Sequence, residues 1–60
     1  MWEAARMKLV NCPSGFANAL LNGSTGIVLW EFDKMVALLL VSGPQAGREW
    51  QFFSNHLCDA

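Results

Sequence analysis

The stretch "GIVLWEFDKMVALLLV", Gly26 to Val41, decides the fold. Two runs rich in β-branched and aromatic residues flank the pair Asp33-Lys34, the spacing of a two-residue hairpin turn, although the glycine such turns favour is missing. From Met35 to Val41 every residue is apolar, so this strand offers a hydrophobic side chain to both faces of its sheet. In the preceding strand, strict alternation points the bulkier set Val28, Trp30 and Phe32 inward and leaves Ile27 and Leu29 outside.

A small barrel has only one inside. About five aliphatic side chains are therefore expected on adjacent outer strand faces, here assigned to Ile27, Leu29, Val36, Leu38 and Leu40. At about 1.5–3 kcal/mol for each full burial they represent on the order of 7–15 kcal/mol, comparable with the whole stability of a domain. Contiguous apolar patches of that kind mark interfaces, and the expected partner is a second copy or another protein. The competing reading folds the segment "MWEAARM" or "FANALL" back over this face.

Outward from the hairpin, the breaks are "NCPSG" at Asn11–Gly15, "NGSTG" at Asn22–Gly26 and "SGPQAG" at Ser42–Gly47, all rich in turn residues. They delimit strands expected over Arg6–Cys12, Gly26–Phe32, Met35–Val41 and Glu49–Phe53, with Trp50 and Phe52 sharing the core phase and Gln51 facing away. The segment "SGFANALLNG" reads either as a short helical turn near residues 14–22, with Ser14 as N-cap, or as a long loop whose Phe16 and Leu20 plug the barrel end. The expectation is a mainly β, single small barrel domain over residues 1–60, of about four to five strands. Residues 1–5 read as an N-terminal extension, and the segment "MWEAARM" also reads as helical, with Trp2, Ala5 and Leu9 on one side.

Composition bounds the rest. The 60-residue chain is 53% hydrophobic and only 15% charged, rich in core-type residues for something with so little inside. A domain of this size buries about 60% of the surface its unfolded chain exposes. Four scattered basic residues and a net charge of −1 argue against nucleic acid, which is bound by neutralising phosphates. The apolar run falls far short of the roughly 20 residues a membrane span needs, and Glu3 interrupts any secretory h-region. An intracellular, cytoplasmic and soluble protein is expected. Cys12 and Cys58 are read as reduced thiols, the alternative being a disulfide closing a long loop.

Chemistry is thin. His56 with Cys58 and Asp59 invites a Cys-His reading, but on a strand residues 56 and 58 stand about 7 Å apart without an orienting group. Zinc would find only Cys12, His56 and Cys58. No catalytic residues, metal or cofactor are expected.

The order of pieces resembles the small SH3-like barrels: a first strand, a long irregular connection, the strand opened by Thr25, Gly26 and Val28, a tight turn, a second long strand, and an aromatic strand with Trp50, Phe52 and Phe53 leading to a final strand at Leu57. The resemblance covers roughly residues 6–60 and implies the fold. The chain has no tyrosine, so the Pro-rich peptide binding of SH3 domains does not follow. "WQFF" at Trp50–Phe53 is also similar in layout to the Val-Gln-Ile-Tyr pore strand of the type II plasmid dihydrofolate reductases. That resemblance implies an oligomeric barrel with Trp50 and Gln51 at a shared ligand site; Gln51 matches, whereas the tyrosine and the pore lysine are missing. The leading expectation is a non-enzymatic interaction or assembly module, and the alternative a small-ligand-binding oligomeric barrel of that reductase type.

Overall fold

A computed structural model describes residues 6–60. The elements are β1 (Met7–Val10), a short 3-10 helix (Ala17–Leu21), β2 (Thr25–Phe32), β3 (Met35–Leu40), β4 (Glu49–Phe53), a second short helix (Ser54–His56) and β5 (Leu57–Asp59). The strands form one antiparallel sheet in the order β4-β3-β2-β1-β5. The molecule is thus mainly β, with strand bounds within two residues of those the sequence indicates. Any helix in "MWEAARM", or any cover that segment provides, lies outside the described residues.

Asp33 and Lys34 make the tight turn between β2 and β3, both in the left-handed region with φ of 52° and 69°. Two successive positive φ angles give the turn a twist that matches the strands it joins. Asparagine or glycine meets that demand at lower cost than lysine.

The core gathers Val10, Cys12, Leu21, Val36, Leu38, Leu40 and Phe52, with Ala19, Val28, Trp50 and Leu57 packed against it. Leu38 is fully buried. Gly26 lies directly over it: a Cβ at this position would come within 2.9 Å of both Leu38 Cβ and the Leu39 carbonyl oxygen. β2 and β3 can approach this closely only without that side chain.

Two sequence expectations are corrected here. Val36, Leu38 and Leu40 are the core phase of β3, not its outer face, because they lie across from Phe52, Trp50 and Val28, whose side chains point into the same interior. Trp30 and Phe32 do not follow Val28 inward. Val28 pairs with Leu38, yet Trp30 pairs with the next residue, Ala37, so Leu29 is an extra residue in β2. A bulge of this kind reverses the parity of everything beyond it, and Trp30 and Phe32 emerge on the opposite face, 44% and 76% exposed.

The long connection between β1 and β2 contains both a helical turn and irregular chain. Phe16, not Ser14, stands at the N-cap position, with no side-chain cap. Leu21 is buried, but Leu20 is 86% exposed and plugs nothing. The Asn22 side-chain amide fixes the connection by accepting from the Cys12 N–H at 2.7 Å and donating to the Cys12 carbonyl at 3.0 Å.

Two substitutions are expected to move stability in opposite directions. Lys34→Gly relieves the left-handed strain and is expected to raise stability by about 0.5–1 kcal/mol. Gly26→Ala is expected to lower it by about 1–3 kcal/mol through overpacking against Leu38 and the β3 backbone. Urea unfolding of each variant gives both signs from shifts in midpoint at constant slope.

Candidate functional site

Register fixes what the sheet shows on the side away from the core. Reading across β4, β3 and β2, one row is Phe53, Met35 and Phe32, and the next is Gln51, Ala37 and Trp30. A third row runs from Glu49 through Leu39 and Ile27 to Met7 on β1. Cross-strand neighbours of this kind have Cβ atoms about 4.5–5.5 Å apart, so the rows form one continuous surface. Its centre is apolar, and its polar members Glu49 and Gln51 stand on the edge strand β4. Ala37 is buried between its larger neighbours Trp30 and Gln51, while Phe53 remains 49% exposed.

Of the residues the sequence assigned to an outer face, Ile27 is half-buried within this surface and Leu29 is exposed at the bulge. Trp30 and Phe32 are the members that strict alternation hides, whereas Phe53 stands in the outward phase of Gln51. The sequence signal for them is slight, since Leu29 has nothing in its composition to mark it as an inserted residue.

Trp50 and Gln51 come together, with Asn18, Ala37 and Glu49, around an open cleft of about 410 Å³ at the β4 edge. The Trp50 indole N–H donates to Asn18 Oδ1 at 2.9 Å, and Asn18 Nδ2 donates to the Gln51 carbonyl at 3.4 Å. Trp50 is half-buried and packs on the core, whereas the Gln51 side chain is exposed. The indole polar group is thus already engaged within the chain, and the tryptophan serves chiefly to join the first short helix to the sheet.

His56 and Cys58 are not brought together as a catalytic pair. His56 closes the second short helix, buried between two rings: Phe16 at 4.7 Å between centroids and 66°, and Phe53 at 5.4 Å and 82°. Both are edge-to-face arrangements. Cys58 lies exposed on β5, where Asn11 Nδ2 points at its sulfur from 3.8 Å. Cys12 is a free, buried thiol whose pKa burial pushes up. Among the described residues no three His, Cys, Asp or Glu side chains converge as metal ligands, and no helix is long and apolar enough to cross a membrane.

The charges pair at the rim. Arg6 donates to Glu31 at 2.8 Å and Lys8 to Asp59 at 2.8 Å. The hydrogen bond from Lys8, with its charge, holds the Asp59 carboxyl below the ordinary carboxylate range. Comparison with protein-family profiles, curated proteins and solved structures returns no match. Function must be argued from the surface itself.

Two measurements test these placements. Trp50→Ala is expected to cost about 2–4 kcal/mol, somewhat less than the full range for large aromatic truncations because the ring is only half-buried, and Gln51→Ala to stay within about 0.5 kcal/mol. In native protein a thiol reagent is expected to modify Cys58 promptly and Cys12 only as the chain unfolds. Fast modification of both would contradict the burial of Cys12.

Proposed function

We propose that the chain is a non-enzymatic assembly module that self-associates through its outer sheet face. The observation that carries this reading is the run of Trp30, Phe32 and Phe53 on one apolar surface centred on Met35, Ala37 and Leu39, in a chain with so little surface to spare. Large aromatic side chains bury about 150–250 Å² each. Rings exposed by a half to three-quarters leave on the order of 300 Å² per copy, the scale at which an apolar patch on a monomer is often functional.

Magnitudes set the expected strength. Two copies meeting face to face would remove about 600 Å² of ring surface from water, on the order of 15 kcal/mol gross, against an association cost of about 4–15 kcal/mol. Contacts from Leu29, Ile27 and Leu39 add to the favourable side. The balance favours a reversible dimer of modest affinity. A second copy suits the face because the surface is apolar at its centre and carries its polar residues at one edge, so a two-fold pairing leaves no charge buried.

The strand order, with a single helical turn linking the last two strands, supports reading the fold as an SH3-like barrel. The second functional reading, an oligomeric barrel with a small-ligand site, draws support from the cleft that gathers Trp50 and Gln51. The internal engagement of the Trp50 indole by Asn18 weighs against it.

Light scattering coupled to size exclusion is expected to show a concentration-dependent mass approaching twice the 6.6 kDa of the chain in the micromolar range. Phe32→Glu is expected to return it to the monomer with an unchanged far-ultraviolet spectrum. A wild-type chain that stays monomeric at millimolar concentration would remove the proposal.

A further inference from the structure

The cleft beside His56 shares Phe53 with the outer face and adds features that self-association does not use. It is an open hollow of about 450 Å³, lined by Phe16, Lys34, Phe53, Ser54, Asn55 and His56. Half-exposed Phe16 and Phe53 set their rings against the imidazole to form one apolar wall. The remaining lining is a lysine, an imidazole, a hydroxyl and a carboxamide. Among the described residues no acid lines this hollow.

Lys34 is an unexpected residue where it stands. Its φ of 69° suits glycine or asparagine, and a lysine there holds a strained backbone in a chain with little stability to spare. The Ser54 N–H donates to the Lys34 carbonyl at 2.8 Å, tying the hairpin tip to the short helix that supplies Ser54, Asn55 and His56. Both sides of the hollow are therefore fixed relative to each other. Among the described residues Lys34 makes no ion pair; the carboxylates Glu31 and Asp59 are taken by Arg6 and Lys8. Asp33 and Glu31 line a neighbouring depression that shares Lys34 and Ser54.

We infer that this hollow binds small aromatic carboxylic acids, with the ring against Phe16 and Phe53 and the carboxylate toward Lys34 and the polar groups of Ser54, Asn55 and His56. An ammonium with no ion pair or lining acid among the described residues selects an anion, and the aromatic wall selects what the anion is attached to. The volume is that of a small-molecule site. Open to water on one side, the site holds its ligand weakly and discriminates mainly through charge.

The test is a titration of uniformly labelled protein with 2-naphthoate, followed by amide chemical shifts, beside its neutral analogue 2-naphthamide. Saturable shifts confined to Phe16, Lys34 and Phe53–His56 are expected, with the acid binding at least about fivefold more tightly than the amide. Lys34→Gly is expected to erase that preference while leaving the fold intact, since the same change relieves the turn. Equal affinity for acid and amide, a preference that survives Lys34→Gly, or shifts centred elsewhere would each overturn the inference. Because Phe53 also borders the outer face, the titration is repeated on the Phe32→Glu chain. Loss of self-association and loss of the ligand site are then read separately.

Discussion

Leu29 is the residue on which the exposed half of the molecule depends. β2 enters the sheet with Val28 opposite Leu38 and leaves it with Trp30 opposite Ala37, so one extra residue turns two large aromatic side chains from the inside to the outside. The interior has no room for them. It is already filled by Val10, Leu21, Val36, Leu38, Leu40 and Phe52, with Trp50 at its margin, and small cores respond to excess volume by straining. The bulge reconciles an aromatic-rich strand with an interior too small to receive it.

Where the sequence was legible, turn chemistry made it so. The breaks at Asn22–Gly26 and Ser42–Gly47 and the Asp33-Lys34 pair bound strands that the structure reproduces within two residues. Faces were harder to read. β3 is apolar in both phases, so its own residues carry no parity; only the partners Phe52 and Val28 establish that Val36, Leu38 and Leu40 lie inside. The cleft at His56 was out of reach for a different reason: Phe16, Lys34 and Phe53 come from three separate connections or strand ends, and nothing local announces their meeting. The missing glycine at Lys34 was visible, but it marked a turn before it marked a site.

Local preference and global fold disagree at two places. One is Lys34, which borders the cleft. The other is Ser24, whose buried hydroxyl has no hydrogen-bond partner among the described residues and whose Oγ lies where a Cβ on Gly43 would stand. Gly43 is thus indispensable to the loop that closes over Ser24, and its φ of 90° suits glycine in any case. An unpartnered buried hydroxyl costs about 1–3 kcal/mol. Such conflicts concentrate where a fold is constrained by something other than stability, or where close packing leaves no better choice.

The contact between Asn18 and β4 has a meaning for solubility. β4 is an edge strand, and an edge with free carbonyls and amides invites other chains to extend the sheet without limit. Asn18 occupies the Gln51 carbonyl from the free side, while the other edge, β5, is only three residues long. Strand addition thereby meets an occupied carbonyl at one edge and a short strand at the other. A chain this hydrophobic thus presents less free strand edge to open-ended polymerisation.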